Sequence, residues 1–518
     1  MSRQEQRQAA AATDPTIDVS ALRERYREER DRRLRSDGNA QYVEITGGFG
    51  HFLDDPWAGP VADRAALSED VDVVVVGGGF GGLLCGARLR EVGVESFRIV
   101  EKAGDFGGTW YWNRYPGCMC DVESYTYLPL LEETGYMPTE KYASAVEIFS
   151  YAQLVGRHYD LYPHALFHTE VVEAVWDEAA LRWRVRTNWG DTLSCRFLVT
   201  AGGILHKAKL PGIAGISRFK GRAFHTSRWN YDVTGGAPGV FMDKLADKRV
   251  AVIGTGATAV QVVPRVAEAA QELFVFQRTP SAVGQRDNGP TDEAWFASLA
   301  PGWHAERVKN FTEAVTGKKP EVDLVDDGWT HVMWDDTQTK FDDPEVTRGQ
   351  ERSDFLTMEE IRQRVTRIVE DPETAARLQP WYGKHCKRVC FHDEYLPAFN
   401  RPNVHLVDTD GHGVDEITEN GVVACGVEYP VDVIVFASGC AATTTVIERA
   451  TTSTRWSATH AMNQAICSES APPTTSTAQR RTRVPATAHT INHASGYPTE
   501  PASKHTGLEV VTIMITHP

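Results

Sequence analysis

No apolar run in this chain is long enough to cross a bilayer. The longest, Val71 to Ala87, is broken by glycines, and a helical span needs roughly 20 apolar residues. The residues before Val71 open polar and charged, without the apolar core of a secretory leader, so no such signal is expected. Positive charge is scarce as well. Lys and Arg number 54 against 70 Asp and Glu, a formal charge of −16, which argues against a nucleic-acid partner. Nine cysteines are scattered and odd in number, with no C-x-x-C pair, so neither a disulfide framework nor a redox motif is expected. Cys118/Cys120 and Cys386/Cys390 have the wrong spacings for a paired zinc site, and His164 and His168 belong to no H-E-x-x-H grouping; no metal is expected. A reducing, cytoplasmic setting fits this inventory.

What is present is an ordinary globular composition, 42% hydrophobic and 24% charged over 518 residues, enough for roughly two to four domains. Residues 1–70 read as a polar extension, with a solvated Arg- and Glu-rich helix over Ala21–Leu34. Residues 71–215 alternate strand-like and helix-like stretches, and 216–290 carry a second unit of that kind. Residues 291–385 read as a helical insertion, and 386–440 return to strands, including Val431–Ala437. The tail, 441–518, is roughly one-fifth Thr, with much Ala, Ser and Pro, a composition that favours disorder.

Two stretches carry nucleotide-binding chemistry. Val71–Val76, apolar except for Asp72, runs into Gly77-Gly-Gly79-Phe-Gly-Gly82. In this pattern Gly77 allows the tight turn, Gly79 the close approach of a pyrophosphate, and Gly82 the packing of helix on strand. The helix start offers free N–H groups to phosphate. A second strand, Ser96–Val100, ends at Glu101, placed to accept ribose hydroxyls. Lys248–Ile253 runs into Gly254-Thr255-Gly256-Ala-Thr258-Ala259, and the next strand, Leu273–Phe276, leads to Arg278-Thr279 at the spacing where the first unit has its acid. An acid there would repel a 2′-phosphate, whereas Arg278 pairs with it; the bland alternative is a solvated arginine at a strand end. The first site therefore suits FAD or NAD and the second NADP. The fold class is α/β, with two Rossmann-like dinucleotide-binding domains and a helical insertion. The simplest chemistry is NADPH reducing FAD.

Two signatures narrow this further. Phe219-Lys-Gly221-Arg-Ala-Phe-His225-Thr-Ser-Arg-Trp229 resembles the F-x-G-x-x-x-H-x-x-x-W signature of Baeyer–Villiger monooxygenases. Gly107-Gly108-Thr109-Trp110 through Tyr115-Pro-Gly117 to Asp121 resembles the family's G-G-x-W-x-x-x-x-Y-P-G-x-x-x-D. The resemblance covers about residues 20 to 440. Asn230 departs from the usual Pro or Asp after the signature Trp, and Cys118-Met119-Cys120 replaces the commoner Ala-Arg-Cys type of sequence, with Met119 read as a change in the pocket wall. The resemblance implies that Gly108, Thr109, Trp110, Asp121 and Tyr127 line the flavin. It implies that Lys387 helps Arg278 and Thr279 hold the 2′-phosphate, and that Arg388, paired with Asp121, stabilises the flavin peroxide anion. It places Phe219, Gly221, His225 and Trp229 in a linker that sets domain orientation. The implied reaction uses NADPH and O₂ to insert one oxygen next to a ketone carbonyl through a C4a-peroxyflavin, giving an ester or lactone.

Other readings stand beside this one. An N- or S-oxygenating flavin monooxygenase would carry Tyr or Phe at Trp229 and lack the Asp121–Arg388 pair. A disulfide-type reductase needs the missing C-x-x-C. A non-catalytic nucleotide-binding remnant is suggested only by the tail, which from about Ala450 does not resemble the family and is read as a change of reading frame. Trp329 and Trp334 are read as packing residues that could border a ketone pocket.

Overall fold

The structure is a computed structural model describing residues 17–43, 45–316, 320–333, 344–384 and 386–440, with three short strands at 445–449, 454–458 and 511–512. Trp334, the remainder of the tail and the proposed frame change near Ala450 lie outside the described residues.

Two sheets organise the chain. The first is built on strand Ser68–Val76, which pairs in parallel with Phe97–Val100 on one side and with Thr192–Thr200 on the other. Val74 and Val75 are fully buried, as a strand covered on both faces requires. Beyond Thr192–Thr200 the sheet continues as an antiparallel meander through Arg182–Thr187 and Val171–Asp177. The second sheet is wholly parallel, in the order Val404–Asp408, Glu272–Gln277, Arg249–Ile253, Val433–Phe436, Arg222–His225. The strand anticipated at Leu273–Phe276 is thus one residue longer at each end, and the one at Val431–Ala437 is trimmed to Val433–Phe436.

Each sheet places a glycine loop at the carboxyl end of a central strand. Helix Phe80–Glu91 follows the first loop and Ala257–Ala269 the second. The insertion is helical, with Glu293–Ala297, Trp303–Val315, Gly328–Met333, Pro344–Ile368 and Pro372–Leu378. The N-terminal helix spans Val19–Arg33, capped by Asp18, and buries no residue fully. It is nevertheless held to the body: Tyr26 lies edge-on to Phe355 at 5.3 Å, and its hydroxyl accepts from Arg362 at 3.0 Å.

Candidate functional site

The two glycine loops repeat one geometry. Gly77 has φ +110° and Gly254 φ +116°, values that L side chains rarely adopt. A Cβ on Gly77 would lie 2.4 Å from the Ala201 carbonyl oxygen, and one on Gly254 would lie 2.6 Å from that of Ala437. In each case the obstacle is the end of the neighbouring parallel strand, so both turns are closed to any side chain. Gly82 packs against the Gly77 carbonyl, and Gly79 and Gly256 each stand at a helix start with no side-chain cap and no acid in the first turn. By contrast the helices at 19, 145, 293 and 372 are capped by Asp18, Ser144, Asp292 and Asp371. Uncapped N–H groups at the carboxyl ends of parallel strands are a fit for dinucleotide phosphates.

Around the first loop, the Gly107 N–H donates to the Gly78 carbonyl at 3.0 Å, seating the Gly107-Gly108 signature on the loop. Trp110 Nε1 donates to the Tyr127 hydroxyl at 2.8 Å, and Phe80 meets the Tyr127 ring at 5.9 Å. Thr109 begins the short helix Thr109–Trp112 and is half-buried. Glu101 is buried, and its carboxylate accepts from the Gly78 N–H at 2.5 Å and the Ala103 N–H at 2.8 Å. Burial raises its pKa against those hydrogen bonds. In this geometry it braces the loop itself.

At the second loop, the Thr255 hydroxyl donates to the Thr279 carbonyl at 2.8 Å. Arg278 is exposed at the end of its strand and donates to Gln41 Oε1 at 2.6 Å. Lys387 donates to the carbonyls of Thr279 at 3.1 Å and Pro280 at 3.2 Å, and burial brings its pKa down to about 8. Arg278, Thr279 and Lys387, far apart in sequence, therefore meet on one short segment.

Between the loops, Arg388 makes a bidentate pair with Asp121, at 2.8 and 2.9 Å. Burial opposes the charged guanidinium, but the charge and hydrogen bonds of Asp121 outweigh it and the pKa is raised. The guanidinium also lies 5.1 Å from the centroid of Trp329, which is buried edge-on to Phe391 at 5.2 Å. Trp329 sits in the first turn of Gly328–Met333, which Asp327 caps by accepting from the Thr330 N–H at 2.9 Å.

The flavin signature is tied to the second domain by a residue no motif marked. Gln261, on helix Ala257–Ala269, accepts from the Tyr115 hydroxyl at 2.8 Å and donates to the Met119 carbonyl at 2.8 Å. Thr258, one turn earlier, also hydrogen-bonds Tyr115. A Cβ on Gly117 would lie 2.5 Å from the Gln261 carbonyl oxygen. The Y-P-G turn therefore docks directly on the helix that starts the second nucleotide site, and Asp121 follows two residues after Met119.

The linker signature is internal. His225 ends the edge strand of the second sheet; its Nε2–H donates to the Gly439 carbonyl at 3.0 Å, and its Nδ1 accepts from the Ser227 N–H at 3.1 Å. Burial holds its pKa down to about 3, so it is neutral. Trp229 is fully buried against Phe224 at 5.1 Å and donates to Thr234 at 3.1 Å. Gly221 admits no side chain, since a Cβ would lie 2.5 Å from both the Asp432 carbonyl oxygen and the Phe219 ring. Asn230 caps the turn Tyr231–Thr234, work that an Asp does equally well.

Burial pushes the Cys118 thiol up to about 12 and that of Cys390 up to about 11, so both are protonated at neutral pH. Among the described residues no group of three or more His, Cys, Asp or Glu could hold a metal ion, and no helix is long and apolar enough to cross a membrane.

Comparison with known proteins gives the following likenesses. Residues 75–135 match the family of NAD(P)-binding Rossmann-like domains. Neopentalenolactone D synthase of Streptomyces avermitilis is 52% identical over 430 residues, 82% of this chain and 72% of the relative. Baeyer-Villiger monooxygenase ATR8 of Stachybotrys chlorohalonatus is 50% identical over 434 residues, 82% of this chain and 69% of the relative. Among solved structures, the polycyclic ketone monooxygenase of Thermothelomyces thermophila is 39% identical, with a TM-score of 0.76 over 82% of this chain and 72% of that one. OTEMO in complex with FAD and NADP is 31% identical, with a TM-score of 0.59 over 72% of each chain.

Proposed function

This chain belongs to the Baeyer–Villiger monooxygenase family, and from that premise we propose how its residues divide the work. It is an NADPH-dependent flavoprotein monooxygenase that inserts one oxygen atom next to a ketone carbonyl, giving an ester or lactone. FAD, when bound, would supply the redox and oxygen-activating chemistry, with NADPH as the source of reducing equivalents. The Gly77–Gly82 loop and the uncapped start of Phe80–Glu91 hold the FAD pyrophosphate, and Glu101, which braces the loop through Gly78 and Ala103, keeps lone pairs for the ribose hydroxyls. Gly108, Thr109, Trp110, Asp121 and Tyr127 line the flavin. Gly254 to Thr258 hold the NADPH pyrophosphate, and Arg278, Thr279 and Lys387 its 2′-phosphate.

Arg388 is the fixed cation of the site. A guanidinium cannot lose its proton at working pH, so it stabilises negative charge developing on the reacting oxygens. Asp121 holds it in orientation through both carboxylate oxygens. Trp329 and Phe391 present an apolar wall beside it, which serves to keep water from the reacting centre. His225 and Trp229 fix the linker; the imidazole is buried and neutral, its Nε2–H is held by the Gly439 carbonyl and its Nδ1 by the Ser227 N–H, so it is not placed to exchange a proton with substrate. The N- or S-oxygenating alternative is not favoured, because Trp229 and the Asp121–Arg388 pair are both in place.

The observation that carries the residue assignment is the bidentate Asp121–Arg388 pair, which joins the flavin signature to the strand region of the second domain. The test is the visible spectrum of the purified protein under anaerobic NADPH. A flavin spectrum that bleaches supports two working nucleotide sites. A protein that stays colourless with added FAD contradicts them.

A further inference from the structure

We propose that Arg33, from the N-terminal helix, is a third cation of the NADPH 2′-phosphate site and helps decide NADPH over NADH. This rests on the assignment of the second nucleotide site given above. The geometry turns on Tyr382. Its hydroxyl donates to the Pro280 carbonyl at 2.8 Å and accepts from the Ala282 N–H at 2.9 Å. The ring is thereby fixed beside the segment that follows Arg278 and carries Thr279. The Arg33 guanidinium lies 5.0 Å from the centroid of that ring, and the Lys387 ammonium 5.8 Å. Arg278, Lys387 and Arg33 thus converge on one face from three distant parts of the chain.

The charges around this cluster are unbalanced. On the same helix and just after it, Arg32 is paired with Asp410 at 3.0 Å and Arg35 with Asp37 at 2.5 Å. Glu29 is shared by Arg25 and Arg32. Arg33 donates only to the backbone carbonyl of Glu29, at 2.9 Å, and neither it nor Arg278 nor Lys387 pairs with a carboxylate among the described residues. Burial lowers the Lys387 pKa, and the positive charges of Arg33 and Arg278 push it the same way, against Cys390. Asp37 lies close enough to Arg278 to feel its charge, but it is paired with Arg35; the three cations, none of them in a carboxylate pair, repel one another, and a dianionic phosphate relieves that repulsion. Gln41, held by the Gly38 carbonyl at 2.5 Å, gives Arg278 a neutral amide partner that leaves its charge available to a ligand.

The helix is placed to deliver Arg33 there. Tyr26 packs on Phe355 and binds Arg362, and Arg32 is fastened to Asp410 beside the second sheet. The Arg-rich helix is therefore more than a wet surface: one face is clamped to the body at its middle and in its last turn, which sets Arg33 over the Tyr382 ring.

The test is equilibrium binding of NADP⁺ and NAD⁺, and of adenosine 2′,5′-bisphosphate against AMP, to the FAD-loaded protein by calorimetry. Arg33→Ala, Arg33→Lys and Arg33→Glu are compared, with Arg278→Ala as reference. A charge-assisted contact of this kind predicts a loss of NADP⁺ affinity of roughly five- to tenfold in Arg33→Ala, with NAD⁺ affinity unchanged within about twofold. Arg33→Lys retains most of the preference and Arg33→Glu loses more of it than Ala does. The proposal is overturned if Arg33→Ala and Arg33→Glu keep the wild-type NADP⁺ to NAD⁺ ratio while Arg278→Ala collapses it. If the wild-type protein shows no preference, or Arg278→Ala leaves it intact, the assignment of the second site fails and takes this proposal with it.

Discussion

Replacing Gln261 with Leu severs the joint between the flavin signature and the second nucleotide domain. The side chain is buried and bridges two groups, accepting from the Tyr115 hydroxyl and donating to the Met119 carbonyl, each at 2.8 Å. Leu has a similar volume, so packing changes little and the loss is polar. Leaving a buried group unpaired costs about 1–3 kcal/mol. The Met119 carbonyl loses this partner, while Tyr115 retains its contact with Thr258. The single substitution should therefore cost about 2–4 kcal/mol in all. Tyr115→Phe alone should cost about 1–3 kcal/mol, because it strands the Gln261 oxygen and also removes the partner of the Thr258 hydroxyl. Combined, the two remove both partners of one hydrogen bond, so the double variant should fall short of the sum by about 1–2 kcal/mol. The assay is urea unfolding of the FAD-loaded protein, followed by flavin fluorescence, for the four proteins of the cycle at matched m-values. Additivity within about 0.5 kcal/mol would refute the direct coupling. Since Asp121 lies two residues past Met119, the same variant should also release more H₂O₂ per NADPH consumed.

Three more expectations are open to direct measurement. Arg388→Ala should lower ester formation by about 10²–10³-fold, the scale of losing a fixed oxyanion-stabilising donor, while flavin reduction by NADPH survives; equal loss of both steps would contradict the role. Gly254→Ala, whose Cβ would lie 2.6 Å from the Ala437 carbonyl oxygen, should abolish NADP⁺ binding in calorimetry and leave the flavin spectrum in place. Asp327 has its pKa raised by burial from 3.8 to about 7. The folded state therefore binds the proton more tightly, and its stability falls as pH rises from about 4 to 7. Asp327→Asn, which keeps the helix cap, should gain on wild type by on the order of 3 kcal/mol between pH 4 and 8, seen as a pH-dependent difference in Tm; a difference that does not change with pH would count against the buried, raised carboxyl.

Local patterns made both nucleotide loops legible, because the turn at Gly77 or Gly254 and the strand feeding it occupy adjacent residues. The linker signature was legible as a motif, but its reason was not. The His225 Nε2–H meets Gly439 across more than two hundred residues, and Gly221 is small because Asp432 passes above it. The N-terminal helix could be read from its charge density, though it starts at Val19, two residues before the expected Ala21, and nothing local tells Arg33, near Tyr382, from Arg32, near Asp410. Gln261 did leave a trace: it is a lone polar residue among Ala259, Val260, Val262 and Val263 on a helix buried almost all round. A polar side chain in that setting needs a partner, and here the partner is the flavin signature.

The most direct test of the account is turnover under ¹⁸O₂ with NADPH and a panel of linear, cyclic and polycyclic ketones, analysed by mass spectrometry. The account predicts an ester or lactone carrying one ¹⁸O atom, formed from at least one ketone with one NADPH consumed for each product in the coupled reaction. A protein that binds both nucleotides and oxidises NADPH, yet yields only labelled H₂O₂ with every ketone, would contradict it.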